Sequence, residues 1–150
     1  MVANRFRPVG LPRFTQDRTE RGKKMYVSND NPVDPIELAE AVREVAKEQP
    51  TQWNRMPNHF DAKGQPQCIV GHALDRLGLT TIFNSVVSIV PHSWERDADQ
   101  ELAFRWLMTV QSQADMGVDK SYGDPYYRNP WARAVQAADQ QALDLAVETL

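Results

Sequence analysis

Prolines and glycines punctuate this chain at intervals that bracket stretches of helical apolar spacing, and that bracketing leaves a helical fold as the simplest solution. Asp34-Pro35-Ile36-Glu37 has the pattern of a capping box with proline at the first helical position. Leu38, Val42, Val45 and Ala46 follow on one face, and Pro50 requires the helix to stop at or before Gln49. Cys68–Leu77 reads as a short buried helix, with Gly78 placed to end it in the left-handed conformation. Gly71 inside that helix costs about 1 kcal/mol relative to Ala, so another backbone is expected to cross close to it. A longer helix starts near Ser93 or Asp97 and runs to Met116, with Ala103, Trp106, Leu107, Val110 and Ala114 along one side. Asp97, Asp99 and Glu101 complement its dipole. Asn129-Pro130 opens the last helix, in which Trp131, Ala134, Val135, Ala138, Ala142 and Leu145 keep a regular period.

Two stretches are less determined. Thr80–Val90 fits a helix with Thr80 as N-cap, although its β-branched content suits a strand equally well; its helical neighbours favour helix. Thr51–Gln67 holds a turn signal at Asp61–Pro66 and admits a short β-ribbon, with Trp53, Met56 and Phe60 as the side chains expected to cover the core. The expected fold is mainly α: a small orthogonal bundle of about five helices with an extended N-terminal arm.

The arm is marked by charge. Residues 1–24 carry seven basic groups (Arg5, Arg7, Arg13, Arg18, Arg21, Lys23 and Lys24) against two acidic ones, a balance of +5. The rest of the chain has ten basic and eighteen acidic groups, −8, which together give the net −3. Pro8, Gly10 and Pro12 interrupt the arm, and it has too few apolar residues to offset its ordering entropy alone. Residues 1–33 therefore read as a basic extended arm and 34–150 as an acidic helical domain. The arm has three readings: folded back on the acidic body, docked on a protein partner or second subunit, or set against nucleic-acid phosphates. The acidic body argues against a dedicated nucleic-acid-binding fold.

A length of 150 residues suits one domain. A single cysteine excludes an intramolecular disulfide and an all-thiolate zinc site. No apolar run approaches the roughly 18 residues that cross a bilayer, and no signal-peptide core opens the chain, so no membrane association is expected and the cytoplasm is the expected compartment.

Few residues hold out chemistry. Cys68 and His72, four apart, share a helix face at about 6 Å, with Asp75 as a third member of a nucleophilic set. Side chains on one helix lean the same way rather than converging, and the ordinary reading is a buried cysteine and one hydrogen-bonded histidine. His59, Cys68, His72 and His92 match no standard zinc spacing; Asp115, Asp119 and Asp124 match no calcium loop. No catalytic residue, metal or cofactor is expected. The loop 118–129 is the more informative surface: Tyr122, Tyr126, Tyr127 and Arg128 are residue types enriched at binding hot spots, although tyrosines also lid cores.

The segment Asp61-Ala62-Lys63-Gly64-Gln65-Pro66-Gln67-Cys68-Ile69-Val70-Gly71-His72-Ala73-Leu74 resembles the central part of a group of small uncharacterised helical proteins of actinobacteria and their phages. Those share a D-x-x-G-x-P turn, a C-x-x-G-x-x-L helix and a Trp-containing last helix, here Asn129–Thr149 with Trp131. The likeness implies a helical fold and an actinobacterial or phage origin, with a virion-associated location if the origin is phage; it implies no activity. The functional expectation is a non-enzymatic interaction or structural protein that binds a protein partner, or another copy of itself, through the arm and the Tyr loop. A nucleic-acid-associated factor is the alternative, and a Cys/His enzyme or metalloprotein comes third.

Overall fold

The computed structural model describes residues 24–116 and 128–148, and four α-helices form the frame among them. Helix α1 is Pro35–Glu48. Asp34 caps it by accepting the Ile36 amide at 3.0 Å, and Gln49 leaves helical geometry just before Pro50. Its inward face is Pro35, Leu38, Ala41, Val42, Val45 and Ala46, which contains the predicted stripe. Helix α2 is Ile69–Arg76, α3 is Ala98–Ala114 and α4 is Trp131–Glu148. The α1 helix packs on α2, α3 and α4, and α3 packs on α4. Leu38, Val42, Ile69, Leu74, Leu107 and Trp131 are among the fully buried side chains at their centre.

Helix α3 has a reciprocal cap: Asp97 accepts the Gln100 amide at 2.9 Å and the Gln100 side chain accepts the Asp97 amide at 3.1 Å. Helix α4 starts differently from expectation. Its first amides are satisfied from outside the helix, Trp131 donating to Gln52 O (2.8 Å) and Ala132 to Pro50 O (3.1 Å). The side chain of Asn129, expected as N-cap, instead donates to Gln113 O at the end of α3 (2.7 Å). Trp131, Ala134 and Ala138 are buried, but residues 141–148 are exposed, so Ala142 and Leu145 lie outside the core.

The arm boundary at residue 33 is also corrected. Residues 25–26 form strand β1, paired in parallel with β2 (Leu79–Thr80). Val27 and Val33 are buried, Val27 N donates to Thr80 O at 2.9 Å, and Val33 N donates to Ile89 O at 2.9 Å. A two-residue strand whose partner lies over fifty positions away offers no local periodicity to read. The same pairing explains why 80–90 is not an α-helix. The Thr81 hydroxyl donates to Val27 O and accepts the Phe83 amide, and only Val86–Ser88 makes a 3-10 turn. Buried Gln111 of α3 clamps that turn, accepting Val86 N (3.2 Å) and donating to Asn84 O (3.0 Å). In 51–67, where the sequence admits a short ribbon, a single antiparallel bridge joins Phe60 to Pro66. Phe60 is buried and Met56 is exposed.

One cluster ties three helices at their surface. Arg43 of α1 makes two hydrogen bonds to Asp139 of α4 (3.1 and 2.7 Å) and lies 4.4 Å above the ring of Trp106 of α3. The Trp106 indole also donates to Asp139 (2.9 Å). The Arg43 bonds, followed by the indole, hold the Asp139 carboxyl below its usual range.

Gly71 shows the predicted close crossing. A β-carbon there would lie 2.0 Å from the carbonyl oxygen of His59, a backbone atom that cannot swing away. Gly71→Ala gains about 1 kcal/mol of helix propensity but must displace the 59–67 turn. Overpacking of this kind costs about 1–3 kcal/mol or more, so the variant is expected to unfold at lower urea concentration than the wild type, whereas an unobstructed helical Gly→Ala would unfold at higher.

Candidate functional site

The segment between α1 and α2 is where polar groups converge. Asp61 organises its turn: one oxygen accepts Lys63 N (2.9 Å) and Gln65 N (2.8 Å), the other accepts the Gln67 side chain (3.2 Å), and Gly64 takes φ 80°. Gln67 N then donates to His59 O at 2.9 Å. This hairpin sets His59 against the N-terminus of α2, where Cys68 is the capping residue and its sulfur accepts the Gly71 amide at 3.3 Å.

His59 Nδ1 lies 3.1 Å from Cys68 Sγ, and both residues are fully buried. Burial pushes the thiol up to about 12, against the lowering effect of the Gly71 amide, and pulls His59 down to about 4. A thiolate–imidazolium pair, the reactive form of such a dyad, is disfavoured on both sides, so at neutral pH this is a thiol beside a neutral ring. His59 Nε2 is buried without a hydrogen-bond partner among the described residues. The Cys68–His72 pair, disfavoured on the sequence because side chains of one helix do not converge, is not the one that meets at the thiol: His72 packs edge-on against Trp131 at 5.0 Å. His92 stacks on Trp94 at 4.5 Å. No group of three or more His, Cys, Asp or Glu side chains suited to a metal exists among the described residues.

Beside the dyad sits Asn54, fully buried. Its side-chain oxygen accepts Ile69 N (2.9 Å) and the Trp131 indole (2.7 Å), its amide donates to Asp115 (2.7 Å), and its backbone carbonyl accepts Arg128 Nη1 (2.7 Å). Nothing in the spacing of residues around 54 announces this role; the only available sign is a polar residue placed between Trp53 and a run of turn residues.

On the outer side of the same segment lies a cleft of about 310 Å³. Gln52, Trp53, Arg55, Asp61, Gln65, Pro66, Gln67 and His72 line it. Arg55 and His72 are the functional-type residues here. Burial, ahead of the nearby Arg55 charge, lowers the His72 pKa against the opposing pull of Asp75.

The predicted binding residues divide into two groups. Arg5, Arg7, Arg13, Arg18, Arg21, Lys23, Tyr122, Tyr126 and Tyr127 lie outside the described residues. Lys24 pairs with Asp75 and stands 5.2 Å from the Phe60 ring centroid, while Arg128 donates to Asn54, as above. Both side chains are therefore engaged with the body. No family model matches the chain, nor does any curated protein or solved structure.

The folded pKa of His59 lies below the unfolded value of 6.5. Between about 4 and 6.5 the unfolded chain binds a proton that the native ring refuses, so stability rises with pH across this window and is lost as pH falls through it. The loss is on the order of 3 kcal/mol once pH is below both values. Denaturation series at pH 7.5, 6 and 4.5 should show this fall, and His59→Gln should flatten it. In the same protein Cys68 should resist iodoacetamide at pH 8 until denaturant is added.

Proposed function

We propose that the protein is a non-enzymatic interaction protein, a small orthogonal helical bundle that presents a basic N-terminal segment to a protein partner with an acidic surface. Residues 1–23 carry six basic groups against two acidic ones, and they join the body at Lys24, where β1 is hydrogen-bonded to β2. The observation that carries this reading is the apolar surface around that junction. Tyr26 is 66% exposed, Ile82 78% and Trp94 79%. Phe83 and Val87 are also exposed, and the 82–94 stretch is bonded to the root of the segment through Asn29, which donates to Val87 O and Val90 O, and Val33. Exposed clusters of this kind mark interaction surfaces, and an aromatic beside a cationic stretch is the composition of an interface core with a charged rim. Trp94 is held by its stack on His92 within a reciprocally capped turn, so little side-chain freedom remains to be lost on docking. Tyr122, Tyr126 and Tyr127 supply a second contact in this reading.

The buried thiol supports a non-catalytic role. A nucleophile must reach substrate as thiolate, whereas Cys68 is enclosed and held protonated. No helix among the described residues is long and apolar enough to cross a membrane.

The test is affinity capture with the full chain against two variants. One replaces Arg5, Arg7, Arg13, Arg18, Arg21 and Lys23 with Gln; the other is Trp94→Ala. Both should lose the captured protein, Trp94→Ala by about thirtyfold in affinity as for an interface aromatic. A ligand that survives Trp94→Ala, disappears on nuclease treatment and weakens steeply with salt would replace this reading with nucleic-acid binding through the arm.

A further inference from the structure

The cleft beside α2 is lined by none of the exposed apolar residues named above, and its chemistry is specific. Among the described residues Arg55 makes no ion pair, and the side chains of Gln52, Gln65 and His72 make no hydrogen bond, while all four line one concavity. Asp61 lines the same cleft; among the described residues it is not paired with Arg55, and its oxygens accept Lys63 N, Gln65 N and the Gln67 amide of its own turn. A guanidinium, two carboxamides and an imidazole that converge without internal partners are what a site for an oxygen-rich anion requires.

We propose that this cleft binds a small organic oxyanion, a carboxylate or phosphate ester on a flat body, with Arg55 as its counter-charge. The volume of about 310 Å³ lies at the small end of ligand sites, which run from roughly 300 to 1,000 Å³. Trp53 and His72 contribute ring surface to the walls, which favours a flat ligand body over a branched one. Burial lowers the His72 pKa, so the ring acts as a hydrogen-bonding group rather than a second cation, and Arg55 is the one cationic side chain lining the cleft. The walls are formed before a ligand arrives. Arg55 N is bonded to Gln67 O (2.9 Å), Gln67 N to His59 O (2.9 Å), and Gln52 O to the Trp131 amide (2.8 Å). The lining side chains therefore sit on a backbone fixed from both sides, so binding orders side chains rather than the chain itself.

Benzoate and phenyl phosphate are suitable probes, since they share the flat body and differ in the anionic group. Each is titrated into the full-length protein and followed by NMR of the Trp53 indole and the Gln52 and Gln65 side-chain amides. Saturable shifts confined to these groups are expected, with dissociation constants near about 1 mM; the tighter probe identifies the anion class. Arg55→Gln should weaken binding by about tenfold, as for loss of a charge-assisted hydrogen bond. Arg133→Gln is the matched control: it removes the same charge from an exposed position on α4 and should leave binding within about twofold. The far-ultraviolet spectrum of each variant confirms its fold. Absence of saturable shifts for both probes up to about 20 mM, or equal weakening by the two arginine variants, would overturn the proposal.

Discussion

The Asn54 carboxamide is the interaction on which the arrangement of this protein depends. It belongs to no helix, yet it joins three of them: its oxygen accepts the first amide of α2 and the indole of α4, and its nitrogen donates to Asp115 at the end of α3. The orientation of the group is unambiguous, since two donors face the oxygen and a carboxylate faces the nitrogen. Full burial makes the arrangement all-or-none. Each partner removed would leave a buried polar group unsatisfied at about 1–3 kcal/mol, so a shift of any one helix end is opposed through the other two.

This constraint propagates along the chain from Asn54 in both directions. The preceding residue pair places Trp53 and Gln52, and Gln52 O then receives the first amide of α4. The following residues place Arg55, whose amide is bonded to Gln67 O, and lead into the turn that brings His59 beside Cys68 and its carbonyl beside Gly71. The cleft and the buried dyad are thus two faces of one segment. The inner face is dry and neutral because the hairpin closes over it. The outer face is polar, and its carboxylate, Asp61, braces the loop.

What was legible in the sequence follows from how local the cause is. The capped starts at Asp34 and Asp97, the apolar stripe of α1 and the stop at Gly78 all depend on residues within one or two turns of each other, and they appear as read. The close approach at Gly71 was legible too, because a glycine in a helix interior asks for compensation. The roles that were misread have distant causes. Residues 25–33 become part of the body only because Leu79, Thr80 and Ile89 offer them partners. Thr80–Val90 gives up a helix because Thr81 finds Val27 and because Gln111 reaches the Asn84–Val86 backbone. Asn129 has the chemistry of an N-cap, but Pro50 and Gln52 carbonyls reach the amides of α4 first. Cys68 lies just outside α2 as its N-cap, and the turn delivers His59 rather than His72 to the thiol.

The division of polar groups bears on function more than their number does. Within the body, charged and amide side chains are mostly committed: Arg43 to Asp139, Arg96 to Glu101 and the Pro91 carbonyl, Arg76 to Glu48, Lys24 to Asp75, Arg128 to Asn54. An arginine and two glutamines without partners among the described residues line one concavity. Bare apolar side chains likewise gather on the 82–94 stretch, beside the root of the basic segment. Both features displace water from costly surface only when something else arrives, and they lie on backbone that is already fixed by long-range hydrogen bonds. These groups lie at the rim, while the one thiol stays sealed inside.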